Sequence, residues 1–344
     1  NECMEQNTLV KSIAAYLNLS PKRVTAVLEL LDNGATLPFI ARYRKEHTGS
    51  MDEESIAAIR DERARMEELE KRRGSIVASL EERDLYQGEL KDKIDAAPNL
   101  KELEDIYLPH RVKRRPRATI AREKGLEPLA AIVLGGAEDA NSAAARFINS
   151  VMEVHTSDEA LAGARDIVAE RINEDAQTRA EMRRLFLSRA QLNSSVVKKK
   201  VDEAQKFSDY FEWVEKAAAA PSHRLLAILR GENEGYLKVS MRPEPQEALA
   251  LLKRCFGAEK KNRSLVETAI DDAYSRLLAP SMETELRAEL KQRADSEAIR
   301  VFRDNVRELL MAPPLGQKSI LAIDPGFRTG CKVVCLDQQG KLLH

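Results

Sequence analysis

The highly charged segment 50–85 constrains the fold more than any other part of the chain. Ser50 and Glu53 have the spacing of a capping box, with Ser50 as the N-cap. An unbroken helix over this segment would span about 50 Å. Arg63 and Arg73 interrupt its apolar stripe, so we predict a spine against which other helices pack, with a dimeric coiled coil as the alternative. The stripe consists of residues near heptad spacing, namely Ile56, Ile59, Met66, Leu69, Ile76 and Leu80.

The composition agrees with a mainly α protein. Only 15 Gly and 13 Pro occur among 344 residues, while 32% of the residues are charged and 5% are aromatic. The 55 Lys and Arg nearly balance the 56 Asp and Glu, so a nucleic-acid partner has to be argued from local patches of charge. No apolar run approaches the roughly 20 residues of a membrane span, and we expect no membrane partner. The scattered cysteines and histidines favour a cytoplasmic protein with no metal and no cofactor.

The periodicity divides the chain into three predicted regions. Residues 1–50 form a helix-turn-helix-like N-terminal element, in which Ser20 and Pro21 begin the second helix. Residues 51–312 form an elongated helical scaffold, which either stands alone or packs discontinuously with 1–50. Its last helix covers about 282–311, and one strand covers 236–241. The inner side of that last helix is predicted to carry Leu286, Leu290, Ala294, Val301, Val306 and Leu310.

The period changes after the paired prolines at 313 and 314. Residues 320–323 and 331–336 read as two strands, and Asp324 begins the turn after the first of them. A single hairpin is at best marginally stable in water. Residues 319–344 therefore predict the truncated start of an α/β domain.

Two basic segments are candidate nucleic-acid-binding sites. Residues 110–124 hold seven cations and one anion, a local net charge of +6. The contacts predicted there are Arg111, Lys113, Arg114, Arg115 and Arg117, with Arg42, Arg44 and Lys45 as a second patch. We interpret the helix that carries this second patch as short and buried with basic edges. No aromatic platform is expected nearby, so binding should be electrostatic and without sequence preference. The lysines at 198–200 are a weaker candidate, because two acidic residues follow them.

Four segments resemble the Tex family of bacterial transcription accessory proteins. They are 37–46 (LPFIARYRKE), 106–109 (IYLP), 117–129 (RATIAREKGLEPL) and 221–224 (PSHR). The resemblance implies a helical N-terminal region with a helix-turn-helix element, then a YqgF domain of RNase H-like fold. It also implies later helix-hairpin-helix and OB-fold RNA-binding regions. The chain would cover the helical part and the first YqgF strands.

The resemblance implies a transcription accessory factor whose helices contact RNA or DNA phosphates without sequence specificity. The alternative is a protein scaffold that docks on RNA polymerase or other transcription machinery, with nucleic acid bound by C-terminal domains. Asp324 is similar to the first metal-binding aspartate of RuvC-like resolvases, yet one carboxylate cannot clamp two metal ions. A turn-forming role is favoured for it, and we expect no enzyme.

Overall fold

The computed structural model describes residues 2–111, 117–136, 138–257, 261–326 and 330–344. The chain is mainly α, as the sequence predicts, and it divides into two compact units. The first unit comprises Asn1–Arg184 with Pro245–Pro280, and the second comprises Leu185–Glu244 with Ser281–His344. The boundaries predicted from the sequence at 50, 312 and 319 stay predictions.

Five helices open the first unit, and four of them share one core. Their bounds are α1 Glu2–Leu17, α2 Pro21–Asp32, α3 Leu37–Tyr43, α4 Lys45–Thr48 and α5 Glu53–Glu81. Ile13, Val24, Ile40 and Ile56 are fully buried in that core, so each of α1, α2, α3 and α5 contributes to it. Ser20 lies at the predicted N-cap of α2, although its side chain makes no capping bond. Reading of DNA by this element remains a prediction.

Helix α5 is the predicted spine, but its capping residue is not Ser50. The side chain of Asp52 accepts a hydrogen bond from the Ser55 amide at 2.8 Å, which makes Asp52 the N-cap. Hydrogen bonds from Ser55 also hold the pKa of the Asp52 carboxyl below its ordinary value. Ser50 instead ends the preceding turn, where its amide donates to the Lys45 carbonyl at 2.8 Å. The capping-box prediction is therefore wrong.

The two arginines that interrupt the α5 stripe bind neighbouring segments. Arg63 forms an ion pair with Asp32, the last residue of α2. Arg73 donates from Nε to the carbonyl of Ile94 at 3.1 Å and from Nη2 to that of Ala97 at 2.7 Å. The interruptions therefore serve intramolecular packing, as expected of a spine.

The remaining helices of the first unit are α6 Gly88–Ala96, α7 Leu100–Tyr107, α8 Arg117–Glu123, α9 Glu127–Gly135, α10 Ala140–Ala144, α11 Ser157–Glu174, α12 Ala176–Arg189, α14 Pro245–Phe256 and α15 Arg263–Asp272. Helix α11 packs against α8, α9 and α15, and its inward face includes the buried residues Ala164, Val168 and Ile172. Helix α12 continues into the second unit.

The second unit contains a three-stranded antiparallel sheet of order β2-β1-β3. The strands are β1 Gln191–Val196, β2 Glu212–Lys216 and β3 Leu237–Arg242. Helix α13, Ser222–Asn233, lies between β2 and β3 in the chain, and helix α16 covers Ala279–Met311. Strand β3 is the predicted strand displaced by one residue. Strands β1 and β2 were not predicted, because neither shows a continuous apolar alternation.

The long helix α16 confirms the first half of its predicted inner face, where Leu286, Leu290 and Ala294 are buried. In the second half Val306 is only partly buried, Val301 is 49% exposed and Leu310 is 79% exposed. The predicted hairpin follows, with β4 Ile320–Gly326 antiparallel to β5 Gly330–Leu336. Within the described residues, none of the helices is long and apolar enough to cross a membrane.

Candidate nucleic-acid interface

The basic loop is described only at its two ends. Lys113, Arg114 and Arg115 lie outside the described residues. Arg111 is exposed directly after a single 3-10 turn over Leu108–His110, and Arg117 is exposed at the first position of α8. The structure therefore places two of the five predicted loop contacts on the surface.

Tertiary ion pairs reduce the positive charge that the sequence predicts for 110–124. Arg122 pairs with Glu170 at 2.5 Å and with Glu127 at 3.1 Å. Lys124 pairs with Glu153 at 3.8 Å and also donates to its carbonyl at 2.9 Å. These two cations are balanced by carboxylates. The positive charge of the segment that has no such balance therefore belongs to the cations that precede Arg122 in the sequence.

Arg117 also lies in the field of carboxylates. Burial raises the pKa of the Asp166 carboxyl, while the charges of Arg276 and Arg117 act in the opposite direction. A hydrogen bond from Arg276 holds the pKa of Asp272 below its ordinary value, and Arg117 contributes to that lowering.

The second predicted patch lies where α3 meets α4. Arg42, Arg44 and Lys45 are all exposed, and Arg23 of α2 adds a fourth cation. Arg23 reaches this region because Gly49, with φ +67°, leaves room for it: a Cβ there would lie 2.5 Å from Arg23 Nε. We call these four residues the α3–α4 patch. Among the described side chains, none of the four lies within ion-pair distance of a carboxylate.

The arginines of the neighbouring helix α5 differ in this respect. Every one of them has a carboxylate partner: Arg60 with Asp61, Arg63 with Asp32 and Glu67, Arg65 with Glu62, Arg72 with Glu104 and Arg73 with Glu70. The arginines of α5 are therefore paired with carboxylates, whereas those of the α3–α4 patch are not. Sequence reasoning missed Arg23, since only the fold brings it to Gly49.

Two aromatic side chains adjoin the α3–α4 patch. Ile40 is the buried residue of α3, whereas Phe39 is 38% exposed and Tyr43 is 67% exposed. The interpretation of α3 as a buried helix is therefore wrong, and two exposed aromatic rings lie near these cations. The signal was present in the sequence, because Phe39 and Tyr43 are four residues apart and lie on one side of a helix.

The lysine run at 198–200 and the carboxylate of Asp324 are weaker candidate sites than the α3–α4 patch. In the lysine run, Lys198 and Lys199 are exposed, while Lys200 lies over the Tyr236 ring at 5.4 Å. Asp324 is exposed within strand β4, which extends to Gly326, and it lies opposite Lys332 across the hairpin. The predicted turn-forming role of Asp324 is therefore wrong. No group of three His, Cys, Asp or Glu side chains that could hold a metal ion occurs among the residues described here. The single carboxylate does not fit a two-metal centre.

Three family descriptions match the chain in order. They are the Tex-like protein N-terminal domain over residues 7–81, the Tex central region over 136–302 and the Tex protein YqgF-like domain over 318–344. The last match agrees with the predicted start of an RNase H-like domain at the hairpin. The helical segments before it agree with the predicted multi-helix region.

Named relatives lead to the same family. The chain is 37% identical to the transcriptional accessory protein Tex of Neisseria gonorrhoeae, over 97% of this chain and 45% of that protein. It is 38% identical to the protein tex of Bordetella pertussis, over 97% of this chain and 44% of that protein. It is 25% identical to the human S1 RNA-binding domain-containing protein 1, over 98% of this chain and 35% of that protein. The chain spans less than half the length of these relatives. Its matched segments and bacterial relatives agree, and the chain belongs to the Tex family.

Proposed function

We propose that this chain is the helical part of a transcription accessory factor and that it contacts nucleic-acid phosphates without reading sequence. The observation that carries the proposal is the α3–α4 patch, in which Arg23, Arg42, Arg44 and Lys45 are exposed and have no carboxylate beside them. The names of two relatives support a role in transcription and nucleic-acid binding. One is named a transcriptional accessory protein and another an S1 RNA-binding domain-containing protein.

The chemistry follows from the charge of the patch. Guanidinium and ammonium groups bind phosphate oxygens, and each phosphate they neutralise releases condensed counterions into solution. Arg42 and Lys45 lie on the short helices α3 and α4, Arg44 lies between these helices, and Arg23 of α2 reaches Gly49 at the end of α4. A surface of this kind follows a phosphate backbone but does not select a base sequence.

Salt-dependent binding tests this proposal. The four patch residues are changed together to Ser, and binding of a fluorescein-labelled 20-nucleotide strand is followed by anisotropy at several salt concentrations. If four phosphates are contacted, log K of the wild type falls with log salt at a slope of about −3 on single strands, and the variant loses most of that slope.

A matched control removes the same number of exposed cations that already have carboxylate partners. The control variant changes four residues to Ser: Arg60, Lys91, Arg230 and Arg263, which pair with Asp61, Asp95, Glu234 and Glu267 respectively. We expect this variant to bind almost as the wild type does. Equal losses in the two variants would show that only net charge matters, and the patch would not be the site.

The basic loop is the second proposed contact. All five of its predicted residues, Arg111, Lys113, Arg114, Arg115 and Arg117, are changed to Ser. Five phosphate contacts correspond to a slope of about −3.5 on single strands and about −4.5 on duplex. An unchanged affinity and slope in this variant would exclude the loop.

The alternative function is a protein scaffold that docks on transcription machinery. The apolar side chains on the second half of α16 favour it, because Phe302, Leu309 and Leu310 are largely exposed and apolar patches often mark protein interfaces. Purified RNA polymerase is the probe. Binding that persists in the patch and loop variants but is lost in Phe302→Ser and Leu310→Ser would favour the scaffold.

A further inference from the structure

We propose that Tyr43, supported by Phe39, is a base-stacking platform that makes the α3–α4 patch a site for single-stranded nucleic acid. The inference rests on the proposed function, because the same cations hold the backbone while the ring holds a base. It adds what the charges alone do not supply, which is a preference for strands with unpaired bases.

The platform follows from how α3 is packed. The helix has seven residues, and Ile40 fixes one side of it in the core of the first unit. Phe39 and Tyr43 are one turn apart, so their rings lie side by side, with centroids 5.5 Å apart and planes inclined by 45°. Tyr43 is the outer of the two and exposes two thirds of its surface. An isolated exposed tyrosine is ordinary, but here the second ring supports the first.

Arg44 decides which ring is available. Its Cζ lies 5.0 Å from the Phe39 centroid, and its Nη1 donates to the Tyr43 carbonyl at 3.2 Å. The guanidinium therefore covers Phe39, which leaves Tyr43 as the ring for a ligand. It also places a positive charge one residue from the open ring. A nucleotide offers the complementary pair of groups, namely a flat base and a phosphate.

Single strands fit this arrangement better than duplexes do. In a duplex both faces of each base are stacked on neighbouring bases, so a protein ring finds no free face. In a single strand the bases can turn outward and stack on an aromatic side chain while cations track the backbone. Both single-stranded RNA and single-stranded DNA offer these groups, and only the sugar hydroxyl separates them.

Tyr16 is a natural internal control in the same unit. It is exposed to nearly the same extent as Tyr43, at 69%, but a guanidinium lies over its own ring, with Arg65 Cζ at 5.5 Å. Arg65, however, is held by two hydrogen bonds to Glu62, at 2.6 and 2.8 Å. Tyr16 therefore combines an exposed ring with a neutralised cation, and it should not hold a nucleotide.

The experiment measures the binding of the 344-residue chain to four labelled probes. Three of them share one sequence and are single-stranded RNA, single-stranded DNA and duplex DNA. The fourth is a single strand without bases. The variants are Tyr43→Ser, Tyr43→Trp and Tyr16→Ser. Stacking of one base on an aromatic ring corresponds to about 5-fold to 100-fold in affinity. We expect Tyr43→Ser to lose this factor on the two base-bearing single strands, and Tyr43→Trp to retain it.

The salt slope separates this inference from the proposed function. Tyr43→Ser removes no charge, so its slope should equal that of the wild type while its affinity is lower. It should also leave duplex and base-free strands unaffected, and Tyr16→Ser should bind every probe like the wild type. If Tyr43→Ser binds single strands unchanged while the four-cation variant is impaired, the platform is refuted and the phosphate contacts stand. If neither variant is impaired, both proposals fail.

Discussion

At the scale of single residues, the buried carboxylate of Asp105 on α7 needs cationic partners to offset the cost of its burial. It accepts from Arg179 Nε at 2.7 Å and from Arg183 Nη1 and Nη2 at 2.5 and 2.7 Å, both on α12. The carboxylate and the Arg179 guanidinium are nearly inaccessible to solvent. Removing one partner of such a group leaves charge buried without compensation.

We predict that Asp105→Asn lowers the free energy of unfolding by about 3 kcal/mol or more, because two guanidiniums then lose their shared counter-charge. Urea titration followed by circular dichroism measures the change. The control is Asp61→Asn, which removes the carboxylate of an exposed pair with Arg60 and should cost less than about 1 kcal/mol. Equal midpoints for the two variants would contradict the structural role of Asp105.

At the scale of elements, the hairpin β4–β5 is a two-stranded sheet that leaves much of its apolar surface exposed. Its register runs from Ile320 opposite Leu336 to Gly326 opposite Gly330, with a short bridge from Leu336 to Leu342. The apolar residues Leu321, Ile323 and Val333 are exposed on it. A two-stranded sheet with such exposure gains little from burial.

We predict that amide protons of residues 319–344 exchange with solvent much faster than those of β1 and β3. The physical reason is that opening the hairpin exposes almost no new apolar surface, so the free energy of local opening is small. Hydrogen exchange read by mass spectrometry compares the two peptides in one sample. Equal protection of the hairpin and of the three-stranded sheet would contradict this prediction.

At the scale of the whole molecule, we predict that the chain has no nuclease activity. Asp324 supplies one carboxylate, and its register partner is the cation Lys332. Two-metal phosphodiester chemistry needs several convergent acidic oxygens, which a single aspartate does not provide. Labelled single-stranded and junction substrates are incubated with Mg²⁺ and resolved on a gel. Cleavage that disappears in Asp324→Asn would refute the prediction.

The sequence by itself determined the helical class, the spine, the terminal hairpin and the family. These depend on local periodicity, as in the buried Ile56, Leu69 and Leu80 of α5, and on ordered motifs. Local signals were insufficient where two residues compete for one role. Asp52 rather than Ser50 caps α5, because Asp52 directly precedes the helix in an extended conformation, whereas Ser50 lies three residues before the helix with φ +61°.

Only the tertiary structure decided which cations of the candidate site are free. Arg122 and its partner Glu170 are 48 residues apart, so no local pattern could have shown that this arginine is neutralised. Packing also decided that α3 buries Ile40 and exposes Tyr43, and that the outer half of α16 stays uncovered. Periodicity states which residues share a face. Which of those faces finds a partner depends on contacts between segments distant in sequence, and these form only when the whole unit folds.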